Sequence, residues 1–182
     1  MDIETLFGLF DAKGAESYGE SVTQIEHALQ CAHLAEAEGA SGALVTAALL
    51  HDVGHLLHRD TRAAYERAVD DRHEALAAKA LAGLFGPEVC EPIRLHVDAK
   101  RYLCLREPGY FGSLSPTSVM TLRLQGGPMD AAEADAFERD PHFEDAVRLR
   151  RWDEGGKVPD RATPALAHFR AIAERCLAPT DR

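Results

Sequence analysis

The residue types most able to do chemistry in this chain are four histidines and two aspartates set far apart: His27, the adjacent pair His51-Asp52, His73, His96 and Asp153. The pair closes an apolar run, Ala47-Ala48-Leu49-Leu50. Burying an imidazole and a carboxylate together is costly unless something pairs with both, and a metal ion is the natural partner. Neighbouring helical positions point about 100° apart, so His51 and Asp52 can grip one ion from two directions, or the carboxylate can bridge two ions. His27 lies upstream, and His73, His96 and Asp153 lie downstream. Each falls in its own expected helical segment, so each helix of a bundle would project one group inward. Imidazole with carboxylate suits iron, and the same donors permit manganese, cobalt or zinc. His55 follows His51 by one turn and faces the same region. Lys100 follows His96 by one turn and places a cation on that ligand's face.

Helices must position these groups. Ala, Leu, Glu and Arg dominate, and runs of alternating β-branched or aromatic residues are absent, so the chain reads as helices joined by Gly- and Pro-punctuated turns. The pattern predicts helices over Ile3 to Lys13, Thr23 to Glu38, Gly42 to about His58, Asp71 to Phe85, and Val89 to Lys100 or beyond. The third is apolar nearly all round and should be central. After a loop at Pro108-Gly109, Ser115-Pro116 marks a helix start, with a capping hydroxyl and a proline in the first turn, and Gln125-Gly126-Gly127-Pro128 ends that helix. Further segments cover Phe143 to Trp152 and Pro164 to Cys176, joined through Gly155-Gly156-Lys157, with a frayed tail. One domain over 1–182 is expected, its core at about 20–155 and its last helix at about 164–177. His33, His58, His142 and His168 lack partners by spacing and are expected at the surface, with Trp152 packed beneath Asp153.

Thirty Asp and Glu outnumber twenty Lys and Arg, for a net charge of −10, and no basic stretch alternates with aromatics. A nucleic-acid partner is therefore excluded from the expectation. The longest apolar stretch, Ala43 to Leu50, falls far short of the roughly 20 residues that cross a bilayer, so no membrane association is expected. Cys31, Cys90, Cys104 and Cys176 form no CxxC pair, and no signal peptide precedes them, which reads as reduced thiols in a cytoplasmic protein.

The ordered set His27, His51-Asp52, His73, His96 and Asp153 resembles the HD-domain superfamily of metal-dependent phosphohydrolases and oxygenases. A closer likeness lies in Glu20-Ser-Val-Thr-Gln-Ile-Glu-His27, Ala48-Leu-Leu-His-Asp-Val-Gly-His55, His96-Val-Asp-Ala-Lys100, Leu114-Ser-Pro-Thr-Ser118, Leu124-Gln-Gly-Gly-Pro-Met129 and Arg151-Trp-Asp153. These segments resemble the mixed-valent diiron oxygenases that cleave the carbon–phosphorus bond of 1-hydroxyphosphonates.

That resemblance implies an all-α, HD-domain helical bundle with a dinuclear metal site in its core. It implies two Fe ions, as Fe(II)/Fe(III): one on His27, His51, Asp52 and Asp153, the other on Asp52, His73 and His96, with Asp52 bridging. The implied partners are O2 and a small phosphonate, 2-amino- or 2-trimethylammonio-1-hydroxyethylphosphonate, giving glycine or glycine betaine and phosphate. His55, Lys100, Ser118 and Thr121 match phosphonate-binding positions, and positive charge, hydroxyl donors and a helix N-terminus suit a dianion. Tyr18 and Glu20 match a lid in which the tyrosine coordinates iron until substrate displaces it, so Asp52, His55, Glu20 and Tyr18 form the implied catalytic group. Tyr18 precedes Glu20 by two residues where the family has three. The HD pair itself leaves a second activity open, hydrolysis of a phosphate ester or nucleotide by a metal-activated water.

Overall fold

A computed structural model of the protein describes residues 1–17, 19–57, 70 and 72–179. It is all-helical: α1 (Ile3–Lys13), α2 (Gln24–Ala37), α3 (Gly42–Leu50), α4 (Val53–Leu57), α5 (His73–Leu81), α6 (Pro87–Arg106), α7 (Tyr110–Ser113), α8 (Pro116–Leu124), α9 (Ala131–Phe137), α10 (Phe143–Gly155) and α11 (Leu166–Arg175). An isolated antiparallel bridge joins Phe85 and Leu177. Among the described residues no helix is long and apolar enough to cross a membrane.

The helix starts that matter for the site are set locally. At α2, Thr23 Oγ1 accepts from the Glu26 amide at 3.3 Å and the Glu26 carboxylate accepts from the Thr23 amide at 2.8 Å, a reciprocal cap that fixes the helix one turn before His27. At α8, Ser115 Oγ accepts from the Ser118 amide at 3.0 Å, and Pro116 occupies the first turn, as the Ser-Pro pair predicts. The long α6 ends at Glu107 (φ −110°, ψ 109°), because the residue before Pro108 is driven out of the helical region.

Several features differ from the expected segments, among them the fourth expected helix, which as α5 ends at Leu81 rather than Phe85. The third helix does not run on to His58: it stops at Leu50, His51 and Asp52 form a turn, and α4 resumes at Val53. Residues 58–69, Tyr18 and Asp71 lie outside the described residues, and with them the expectations for His58, the lid tyrosine and the exact start of the fourth segment. Two short helices, α7 and α9, were not expected. The signal for α9 stands in the sequence as Asp130-x-x-Glu133, whose side chains and amides cap each other reciprocally.

The main core gathers Leu6, Phe10, Leu49, Ile93, Leu149 and Phe169 among its buried side chains. Helix α3 is buried along its whole length from Leu44 to Leu50, as its all-round apolar surface requires. Helix α6 packs against α3, α5 and α10, and around its C-terminal half two smaller apolar clusters hold α7, α8 and α9 through Leu103, Tyr110, Leu114, Leu122 and Phe137. Trp152 is buried beside Asp153. His168 is exposed and pairs with Glu36, whereas His33 and His142 are half-buried rather than surface residues.

Candidate active site

Helices α2, α5, α6 and α10, with the turn at His51-Asp52, bring the six dispersed residues to one place. His27 Nε2 and His51 Nε2 lie 3.2 Å apart, and so do His73 Nε2 and His96 Nε2. Asp52 sits between the pairs: Oδ2 is 3.5 Å from His27 Nε2, while Oδ1 is 3.4 Å from His73 Nε2, 3.5 Å from His51 Nε2 and 3.7 Å from His96 Nε2. Asp153 joins the first pair, with Oδ1 3.4 Å from His27 Nε2 and Oδ2 3.9 Å from His51 Nε2.

Proton positions follow from the far side of each ring. Nδ1 of His27, His51 and His96 donates to the carbonyls of Gly156 (2.9 Å), Ala48 (2.9 Å) and Ile93 (2.7 Å). A neutral imidazole has one N–H, so these bonds leave Nε2 of each as a lone pair aimed inward. Between the neutral rings of His27 and His51 two such lone pairs face each other at 3.2 Å, and a cation between them turns their repulsion into ligation. Burial pushes His51 and His96 down, His96 far down with its neighbours His73 and His51 adding to the effect, so both stay neutral. Burial opposes ionisation of the two carboxyls as well. It is outweighed at Asp52 by His51, His55 and His73, and at Asp153 by Arg150 and Lys157, which hold both well below the usual carboxylate range. At His27 burial is outweighed by Cys31 and Asp153, which push the imidazole well up, so without a metal it carries the proton that an ion would displace. Neutral imidazoles with ionised carboxylates are the protonation states metal ligation requires, and the donors fit two ions sharing Asp52.

Cys31 also lies within ligand range of His27 and His51. Its Sγ stands 3.7 Å from Nδ1 and 3.8 Å from Nε2 of His27 and donates to the Trp152 carbonyl. Nearly equal distances put it alongside the ring rather than before the Nε2 lone pair, and burial pushes the thiol up. The two carboxylates stand closer to the inward Nε2 of His27 than the thiol does and are the better-placed oxygen donors beside the first pair.

A cavity of about 110 Å³ opens onto the cluster, and Glu20, His27, Asp52, His55, His73, His96, Lys100, Ser118, Thr121 and Asp153 all face it. His51 is fully buried behind it. Lys100 donates to Thr121 Oγ1 at 3.0 Å. His55 stacks on His73 with centroids 4.0 Å apart. Glu20 accepts from Ser115 Oγ at 2.7 Å and meets Lys157 Nζ at 3.3 Å.

Two cations on this cavity escaped the sequence reading. Arg150 is buried, donates from Nε to Tyr110 Oη at 3.0 Å, and also bonds Asp153 and Glu154. Lys157 donates to Ser118 Oγ at 3.0 Å and lies 3.5 Å from Asp153. The spacing that singles out Lys100 from His96 would have found them, because they stand three residues before and four after Asp153.

An HD-domain family model matches residues 25–140, a span that includes every site residue from His27 to Thr121 but not Asp153. The chain is similar to hydroxymethylphosphonate dioxygenase of Gimesia maris, at 47% identity over 176 residues covering 96% of this chain and 88% of that protein. It is 41% identical over 174 residues to the glycine-betaine-forming 1-hydroxy-2-(trimethylamino)ethylphosphonate dioxygenase of Leisingera caerulea, covering 95% and 89%. An uncharacterized protein of Acanthamoeba polyphaga mimivirus is 35% identical over 176 residues, covering 94% and 80%.

Proposed function

This chain belongs to the HD-domain family, and from its likeness to two phosphonate dioxygenases we propose that it is a diiron oxygenase that uses O2 to cleave the carbon–phosphorus bond of a small 1-hydroxyphosphonate. The observation that carries the proposal is one carboxylate, Asp52, spanning two imidazole pairs at the floor of a cavity whose wall holds Lys100, Ser118 and Thr121. The ligands are His27, His51, Asp52 and Asp153 for one ion and Asp52, His73 and His96 for the other. Bound there as Fe(II)/Fe(III), two iron ions supply the one-electron chemistry that dioxygen needs.

The chain's own residues bind and orient the substrate. Lys100, Ser118, Thr121 and His55 offer charge and N–H or O–H donors to the phosphonate. The walls beside them are aliphatic, with Val22, Val97, Met120 and Leu124. In the overall reaction the C–P bond breaks, one oxygen atom of O2 joins carbon and the other phosphorus, and a carboxylate and dihydrogen phosphate result. Atoms and charge balance without an external reductant. Glu20 is held by Ser115 and Lys157 at the mouth of the cavity, in keeping with the lid role that the resemblance assigns to its segment.

Hydroxymethylphosphonate, the compound for which the Gimesia maris relative is named, is the substrate expected to be turned over best. Among the described residues no Phe, Tyr or Trp lines the cavity, so none of these rings there offers its face to a quaternary ammonium. The 2-amino and 2-trimethylammonio compounds should be poorer substrates. The iron-loaded protein, given all three compounds with and without O2, should release phosphate from hydroxymethylphosphonate by phosphorus NMR only when O2 is present. Oxygen-independent cleavage of a phosphate ester, with no phosphonate consumed, would establish a hydrolase instead.

Lys100 gives the reaction a pH dependence. Burial, followed by the nearby Arg150 guanidinium, pushes its ammonium down to about 7. The charged form, which favours a dianion, is complete below that value and is lost as the pH rises through it. On this basis kcat/KM falls as the pH is raised from 6 to 8.5, by up to about ten-fold per unit above the pKa. Lys100→Arg keeps its charge throughout and should lose this limb, leaving only the titration of the substrate itself. An unchanged profile in that variant would remove Lys100 from the phosphonate site.

A further inference from the structure

We propose that Glu154 is an internal competitor for the phosphonate, occupying donors that would otherwise hold a phosphonate or phosphate oxygen and so limiting how tightly the site keeps dianions. The inference rests on the phosphonate-cleaving reading above. Glu154 Oε1 accepts from Ser118 Oγ at 3.2 Å, is also bonded by Arg150 Nη2, and lies 3.5 Å from Lys157 Nζ. Ser118, Arg150 and Lys157 all face the cavity, and Glu154 does not. It therefore reaches the same donors from outside the cavity wall.

The competition is a matter of proton count and charge. A serine hydroxyl carries one proton, and Ser118 directs it to Glu154, so an entering anion receives it only if Glu154 gives it up. Arg150 divides its donors among Tyr110, Asp153, Ser118 and Glu154. Lys157 divides its own among Ser118, Glu20, Asp153 and Glu154. Both cations thus meet the ligand already partly neutralised. The reaction explains the use of such a device. Its product phosphate is, like the substrate, an oxyanion that the same donors bind, and with Lys100, Arg150 and Lys157 unopposed it would leave slowly. A fixed carboxylate within reach of the same donors weakens product and substrate together and returns the site to its free state.

Glu154→Gln separates this role from a structural one, because the amide oxygen still accepts from Arg150 and Ser118 while the charge is gone. Binding of inorganic phosphate to the iron-loaded protein is measured by calorimetry under nitrogen, with turnover of hydroxymethylphosphonate followed in parallel. Phosphate should bind about ten-fold tighter to Glu154→Gln than to the wild type, and kcat and KM should fall together as release slows. Glu154→Asp, whose carboxylate is withdrawn by one methylene, should shift the affinity in the same direction by less, and it carries the test if the Gln variant does not fold. A phosphate affinity in both variants within about two-fold of wild type, or weaker, overturns the inference while wild-type turnover leaves the functional reading standing. A wild type with no oxygen-dependent turnover overturns both.

Discussion

Asp52→Ala should leave a folded helical protein that, loaded with ferrous iron like the wild type, retains neither of the two proposed metal ions, with phosphate release lowered at least about a thousand-fold, equivalent to roughly 4 kcal/mol of transition-state stabilisation. Its two oxygens lie 3.4 to 3.7 Å from the inward nitrogens of all four histidines. Asp153, the other carboxylate of the cluster, lies within 4 Å of His27 and His51 but of neither His73 nor His96. Removing Asp52 takes away the negative charge that offsets two neighbouring cations, and without that charge their mutual repulsion is relieved only by Asp153 at one side. Folding should survive, because Asp52 is the most exposed member of the set, at 21% of its side chain, and its truncation opens no cavity in the apolar core. Metal analysis after desalting, alongside circular dichroism, checks both halves. A variant that keeps two ions would mean that Asp52 does not bridge.

Gly54→Ala should cost the second ion through the backbone alone. A Cβ at this position would lie 2.1 Å from the His73 carbonyl oxygen, 2.7 Å from its carbon and 2.9 Å from its Cα. No rotamer relieves a contact between two main chains, so α4 and α5 must part. His73, the first residue of α5, moves with them, away from His96 and Asp52. Overpacking of this kind costs about 1–3 kcal/mol, and about 2 kcal/mol lowers Tm by roughly 4–8 °C in a chain of this size. The expected protein melts lower, binds one ion in place of two and turns over at least about ten-fold more slowly. Two ions at unchanged Tm would show that the α4–α5 contact has slack and that His73 is held by other means. The contrast with Asp52→Ala is informative: one change removes a ligand and spares the fold, the other spares every ligand and moves the helix that carries one.

Much of this site is legible from spacing because metal ligands must be of a few types, and a helical bundle presents them one helix at a time. His51-Asp52 at the end of an apolar run, with single histidines on the segments before and after it, is enough to expect a metal centre. Lys100 is legible too, since one turn of helix separates it from His96. The Ser115-Pro116 start places Ser118 in a first turn before any tertiary contact is known. Arg150 and Lys157 obey the same rule about Asp153. Their charges, read alone, suggest a solvated helix face, and only burial against Tyr110 and Ser118 turns them toward the cavity.

What the sequence by itself determined, then, is the helical class, the identity of the candidate metal-binding side chains and most of the helix boundaries, because propensity, capping and the 3.6-residue period act over a few neighbouring residues. The tertiary structure decided the rest. The turn at His51-Asp52 breaks a run that is apolar enough to continue as one helix, and it sets the carboxylate between two imidazole pairs that come from four separate segments. The pairing of His27 with His51 and of His73 with His96, the backbone carbonyls that fix their tautomers, and the contact of Glu154 with Ser118 all join residues 23 or more positions apart, save for the carbonyls of Ala48 and Ile93 one turn away. Such contacts depend on how helices cross and on the depth to which each is buried, quantities set by packing the whole chain at once.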